Sequence, residues 1–409
     1  MMKTVKFDNI EKGINYTIIF FISALLIAST FSKAAVETFS CTAILLWLIK
    51  KIMINVFKTS PKPSFFPQTP LNPSILAYTL IVFLSVLASV NFKASIISFV
   101  GKTIEYVLLY FIVCDTVKTR RLICIIFSAI ALAVAGLIVD SAFQYFSGFD
   151  LFRHYPMNDD LRLKASFSNA TGFAGWLILT IPLFAALAIF KNGKKFFTVR
   201  TFSLLISLLS LACLYFTYSK AAFLGLAVSC VFILAYSLKK KRRAIVWLLI
   251  IFCLTEFLFL KRAYIIDLIN TNQPPSFLIR LDLWKMSLLM LADYLLLGSG
   301  PSTFVETIPF YGIGWQSNTS YPHNSFLHLA CETGLTGLAC FIWIVHDLFR
   351  KVNSGLKAGS PVKVELTGIS AGIAAFLTQS FFDTNLFSLQ LVIPFWIFLG
   401  LSIGLTKLE

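Results

Sequence analysis

Apolar stretches follow one another through this chain near residues 14–31, 36–54, 74–91, 96–114, 122–143, 171–190, 201–216, 221–238, 244–260, 325–348, 364–382 and 387–405. As helices of roughly 17–25 residues, such stretches cross a hydrocarbon core of about 30 Å. Their repetition constrains the fold more than any other feature. Over 409 residues the chain is 57% hydrophobic and only 13% charged. Soluble proteins run near 45–50% apolar and about 25% charged, so a soluble fold would have nowhere to hide this surface. The sequence therefore predicts an all-α polytopic membrane protein of about twelve transmembrane helices, in a single integral membrane domain over 1–409.

The net charge of +16 would suit a nucleic-acid binder if the cations were clustered on a folded face. They instead fall in short segments between apolar spans, which is how membrane orientation is written. With the N-terminus in the cytoplasm, twenty-four of the 35 Lys and Arg lie inside, including Lys50, Lys51, Lys118, Lys191, the run KKKRR at 239–243 and Arg350. An even number of spans then puts both termini inside. No nucleic-acid partner is expected; the partner is the bilayer. The first span follows a polar dozen residues and reads as a transmembrane helix, not a cleaved leader. The eight cysteines lie in or beside apolar spans without a CxxC pair, which favours packing over disulfide or metal chemistry. Five prolines in TSPKPSFFPQTPLNPS (59–74) make an extended cytoplasmic linker.

Two outer segments exceed a turn: 144–170, and 261–324 between spans nine and ten. Within the second, residues 277–304 are apolar but interrupted by Arg280, Asp282, Lys285 and Asp293. That pattern predicts a helix in the outer interface. Long loops on rigid scaffolds carry function, so the chemistry is expected on the outer face.

Several residues there stand out. His323, in YPHNSF, opens a greasy helix behind Pro322; an imidazole accepts a proton near neutrality. Asn324 is placed either to orient a substrate or to cap the helix. Arg280 offers a guanidinium fork that fits a diphosphate or a lipid headgroup. Arg162 precedes a helix beginning near Asn169 and Thr171, where the helix dipole adds positive charge, or it pairs with Asp159 or Asp160. Lys220 lies in a tight outer turn, FTYSKAAFLG, facing headgroups or a polar cavity. Glu332 sits nine residues beyond His323 inside a span, where a carboxylate needs a partner. Metal signatures are lacking: no H-E-x-x-H, Walker motif or spaced D-x-D is present, so neither metal nor cofactor is expected.

The string PHNSFLHLACETGLTG (322–337) resembles the signature of the O-antigen ligase and polymerase superfamily. RLKASFSNATGFAG (162–175), TYSKAAFLG (217–225), RLDLWKMSLLMLADYLLLGSGPSTF (280–304) and FFDTNLFSLQLVIPFWIFLGL (381–401) resemble its other segments in the same order. Lys220 stands where that family usually carries Arg, and Ala165 and Ala170 lie in a segment where it often has Gly and Pro. The resemblance implies a GT-C-like membrane glycosyltransferase of the bacterial inner membrane with its active face in the periplasm. Its donor would be a glycan on a polyprenyl diphosphate, its acceptor a lipid A core sugar or a growing glycan. His323 would be the general base. Arg280, Lys220 and Arg162 would hold the diphosphate without a metal, and Asn324 and Glu332 would support them. A ligase is the leading reading and a polymerase of the same superfamily the next. A glycolipid flippase would want mid-membrane charges, broken helices or repeats; here the polar groups cluster on one face, which favours an enzyme.

Overall fold

The computed structural model describes residues 2–57, 64–157, 161–191, 197–237, 276–312, 321–358 and 362–407. The expected span at 244–260, the basic run at 239–243, Asp159, Asp160, and residues 261–275 and 313–320 of the long outer segment lie outside the described residues. What is described is helical, with one isolated β-bridge between Phe149 and Pro156. Among the described residues, seven helices are long and apolar enough to cross a membrane, and three shorter apolar ones accompany them.

The helices are α1 (Met2–Ala28), α2 (Lys33–Phe57), α3 (Asn72–Leu87), α4 (Phe92–Ser98), α5 (Glu105–Thr116), α6 (Arg120–Ser147), α7 (Ala170–Phe190), α8 (Phe197–Tyr215), α9 (Lys220–Ser237), α10 (Ser276–Asp293), α11 (Ser325–Lys357), α12 (Lys363–Ser380) and α13 (Leu389–Leu405). Local chemistry sets their ends. Thr119 caps α6 by accepting the Leu122 N–H, and Gly148 at φ +82° closes it. Asn169 caps α7 through Gly172 N at 2.6 Å. Pro73 occupies the first turn of α3, where its missing N–H costs nothing.

At the centre, α7 packs on α8, α9 and α12, and α13 packs on α5 and α12. A Cβ at Gly372 of α12 would lie 2.1 Å from the Leu179 carbonyl oxygen of α7. Only glycine permits this approach, which is how membrane helices gain contact when hydrophobicity does not drive them together. At the end carrying the lysines of the charge pattern, Asp115 receives Lys50 Nζ at 2.6 Å, Lys51 Nζ at 3.1 Å and Trp47 Nε1 at 2.9 Å. Phe65 and Phe66, from the proline-rich segment, pack on the Trp47 ring.

Two expectations need correcting. The fourth span is not a plain α-helix: Phe99–Ile104 form a π turn between α4 and α5. The outer helix ends at Asp293, and residues 294–303, which include LGSGPS (297–302), turn the chain. The span at 325–348 is two helices meeting at Gly334, with φ 71° and ψ 176°. This break is held by the 294–300 turn. Ser299 N donates to Cys331 O at 2.9 Å, Gly300 N to Glu332 O at 3.0 Å, and Leu335 N to Leu295 O at 2.9 Å. Ser85 Oγ adds a bond to Glu332 O at 2.8 Å. Broken backbone in a membrane protein survives only when its polar groups are satisfied in this way. A Cβ at Gly334 would lie 1.9 Å from Leu296 O, so the close approach itself requires glycine. The short half, residues 325–333, carries Pro322–Asn324 at one end and Glu332 at the other.

Candidate active site

Three stretches of chain meet at the start of this half-helix. Asn324 is its cap, accepting Phe326 N and Leu327 N, both at 3.0 Å. Capping is thus the role that the structure gives Asn324. Trp284 of α10 donates its Nε1 to Pro322 O at 2.8 Å. Ser325 donates through both N and Oγ to Asp383 O, at 3.0 and 2.7 Å. The turn after α12 is thereby fastened against the residues around His323.

His323 has φ +49°, a conformation that costs a non-glycine residue roughly 1–3 kcal/mol and collects at functional sites. Its Nδ1 stands 3.5 Å from Asp383 Oδ1. That distance is longer than a formed N–H···O bond, and such contacts commonly tighten when substrate binds. The imidazole is one-third exposed, whereas Asp383 is buried. Burial alone would raise the Asp383 pKa. The imidazole, the Thr171 hydroxyl and the Thr384 N–H outweigh it and hold the carboxyl below its usual range. Because its value is lower folded than unfolded, this carboxylate stabilises the fold above the ordinary carboxylate range. It loses that contribution as pH falls through the depressed value.

Arg280 lies beside the same carboxylate. Its Nη1 donates to Phe382 O at 3.0 Å. Burial lowers its pKa, Asp383 raises it, and the charge of Arg162 lowers it again. Arg280 therefore sits between a carboxylate and a second guanidinium. Arg162 is brought in by the 148–166 segment, where Asp140 accepts Leu151 N and Ser166 Oγ, both at 2.7 Å. Its Nε donates to Thr217 O at 2.7 Å, and Leu163 N donates to Phe216 O at 3.0 Å. These bonds lay the Arg162 strand along the turn that leads into Lys220. Lys220 is exposed at the first position of α9.

Left-handed non-glycine backbone occurs at His154, Leu161, Ala165, Tyr218, Ser302 and His323. Leu161 and Tyr218 flank Arg162 and Lys220, so strain gathers at the segments that carry these cations. Ala165 is buried at φ +47°, a conformation that favours glycine. Exchanging Ala165→Gly removes a Cβ from a disfavoured conformation. It is expected to stabilise the folded protein by roughly 1 kcal/mol, read as a higher midpoint of thermal unfolding in detergent.

The structure brings His323 and Arg280 to Asp383, with Arg162 near Arg280. It places Lys220 on the adjoining turn and Glu332 elsewhere. Glu332 Oε1 stands 3.2 Å from His328 Nε2 and accepts Phe304 N at 3.3 Å. His328 stacks on Phe387 at 3.5 Å between centroids. The sequence reading missed Asp383, although it lies in a quoted segment, FFDTNLF. Nothing in its spacing ties it to His323, sixty residues earlier.

Chemically, the cluster offers an imidazole whose Nδ1 faces a carboxylate, leaving Nε2 to accept a proton, beside two guanidiniums. Among the described residues no three His, Cys, Asp or Glu side chains are grouped to hold a metal ion. Residues 205–342 match the family model described as O-antigen ligase. The match takes in Lys220, Arg280, His323, Asn324 and Glu332, and it supports membership of the chain in the O-antigen ligase superfamily. No curated protein matches the chain.

Proposed function

We propose, with that superfamily membership as the premise, that the chain is an O-antigen ligase of the bacterial inner membrane. It would move a glycan from a polyprenyl diphosphate to a lipid A core hydroxyl on the periplasmic side. The observation that carries the reading is the His323–Asp383 pair standing beside Arg280 and Arg162.

In this mechanism Nδ1–H of His323 points to Asp383, which fixes the tautomer. Nε2 takes the proton of the acceptor hydroxyl as its oxygen attacks the anomeric carbon. The bond from that carbon to the diphosphate oxygen breaks, and polyprenyl diphosphate leaves. One displacement inverts the configuration at the anomeric carbon. Arg280 and Arg162, with Lys220 from the adjoining turn, hold the diphosphate and stabilise the charge that grows on it. Diphosphate is a good leaving group, and fixed guanidiniums supply what a metal would otherwise provide.

The twelve-span arrangement with both ends inside belongs to the same proposal, since it puts these residues on the outer rim. A polymerase would share the donor chemistry and differ in acceptor. Expression in a Gram-negative strain lacking its ligase separates the two. O-antigen ladders restored on lipid A core support the ligase, and elongation of carrier-linked polymer alone supports the polymerase. Within the ligase reading, Arg280→Lys keeps the charge but loses the fork. The Michaelis constant for the donor is expected to rise about tenfold, a loss of about 1.4 kcal/mol of binding. Unchanged donor kinetics would remove Arg280 from the diphosphate site.

A further inference from the structure

The π turn at Phe99–Ile104 introduces a lysine, Lys102, into a membrane helix without an ion pair among the described residues. Lys102 lies ten residues past the start of α4 at Phe92, roughly 15 Å along the axis at ~1.5 Å per residue. Its Nζ makes a hydrogen bond to Ser302 Oγ at 3.3 Å, and among the described residues no carboxylate lies within ion-pair distance. Glu332 is the nearby candidate, but its carboxylate is engaged by His328 and Phe304 N. An unpaired cation at this depth is costly and points to a partner outside the chain. π turns in helices often mark such sites.

Beside Lys102 is a cavity between α3, the π turn, the half-helix 325–333 and α13. Its volume is about 80 Å³. Tyr78, Tyr106, Leu329, Phe341 and Trp396 line most of it, and Lys102 and Glu332 line it as well. The apolar and aromatic part of the wall suits a hydrocarbon chain. Lys102 is exposed, as are its neighbours Ile97 and Val100, so this flank of the helix faces the bilayer. None of Arg162, Lys220, Arg280, His323 or Asp383 lines the cavity. It is therefore separate from the proposed diphosphate site.

We propose that this cavity holds an acyl chain of one anionic phospholipid, whose phosphate pairs with Lys102. The apolar walls take the chain and the ammonium supplies the opposite charge. The bilayer that surrounds the mouth supplies such a lipid continuously. Its chain would fill the space between α3 and the half-helix that carries His323 at its start and Glu332 at its end. This proposal does not depend on the reaction assigned to the His323 site.

The test is native mass spectrometry of the full chain released from nanodiscs containing equal phosphatidylglycerol and phosphatidylcholine. The expected result is one retained phospholipid with about a fivefold preference for phosphatidylglycerol, the ratio for a single lysine near an anionic lipid. Lys102→Gln should abolish the preference and Lys102→Arg should keep it. Leu329→Trp, which fills the cavity, should release the lipid while leaving Lys102 in place. Equal retention of both lipids by the unsubstituted protein would overturn the proposal, even if a variant failed to fold. So would a preference that survives Lys102→Gln. Displacement of the bound lipid by equimolar polyprenyl phosphate would also overturn it, by assigning the cavity to the carrier.

Discussion

His323→Ala is expected to lower the rate of glycan transfer by about 10²–10⁴-fold, the range that a positioned general base contributes. The rest of the site should persist. Asn324 caps the half-helix through its own side chain, Trp284 holds the Pro322 carbonyl, and Ser325 holds Asp383 O. None of these uses the imidazole. The variant should therefore insert and bind donor as before, with the loss confined to turnover. In a ligase-deficient host, normal protein levels should accompany a missing ladder. A His323→Ala protein that is inserted and fully active would remove the proposed base.

Asp383→Asn is the second large effect. The substitution keeps the shape of the side chain and removes its charge. The imidazole then loses the group that selects its tautomer, and the hydroxyl faces a ring no longer held in place. Misplacement of this kind costs about 10²-fold in turnover. Donor affinity should move the other way or stay level, because Arg280 loses the carboxylate that offsets its charge. Residues that act as a unit lose less together than separately. The double variant His323→Ala/Asp383→Asn should therefore be little slower than His323→Ala alone. Effects that multiply would mean that Asp383 works on something other than the imidazole. The readout is steady-state transfer at varied donor concentration, which separates turnover from donor binding.

Hydropathy made most of the helices legible, because each must satisfy its own backbone in lipid and carry an apolar surface. It could not reveal the break at Gly334. The residues on both sides, LACET and LTGLAC, are as apolar as an unbroken span. The break depends instead on N–H groups of Ser299 and Gly300, some thirty residues away in sequence. The π turn was hidden for the same reason. Of the site, His323 and Arg280 were visible as polar residues where lipid would exclude them. Their convergence was not, since Arg162 is held by the Thr217 carbonyl, 55 residues away in the chain. Asp383 was a lone acid between aromatic residues. Conversely, His328 and Glu332 are four apart on one helix, a spacing that predicts their contact.

The central claim is that this chain forms a glycosidic bond at an outer-face site, with His323 as base. Reconstitution in proteoliposomes with a polyprenyl-diphosphate-linked glycan and a lipid A core acceptor tests it most directly. The account predicts one polyprenyl diphosphate released per glycan joined, an inverted linkage by NMR, and no product above background from His323→Ala. Donor crossing the bilayer with no new linkage formed, or equal product from His323→Ala, would contradict it.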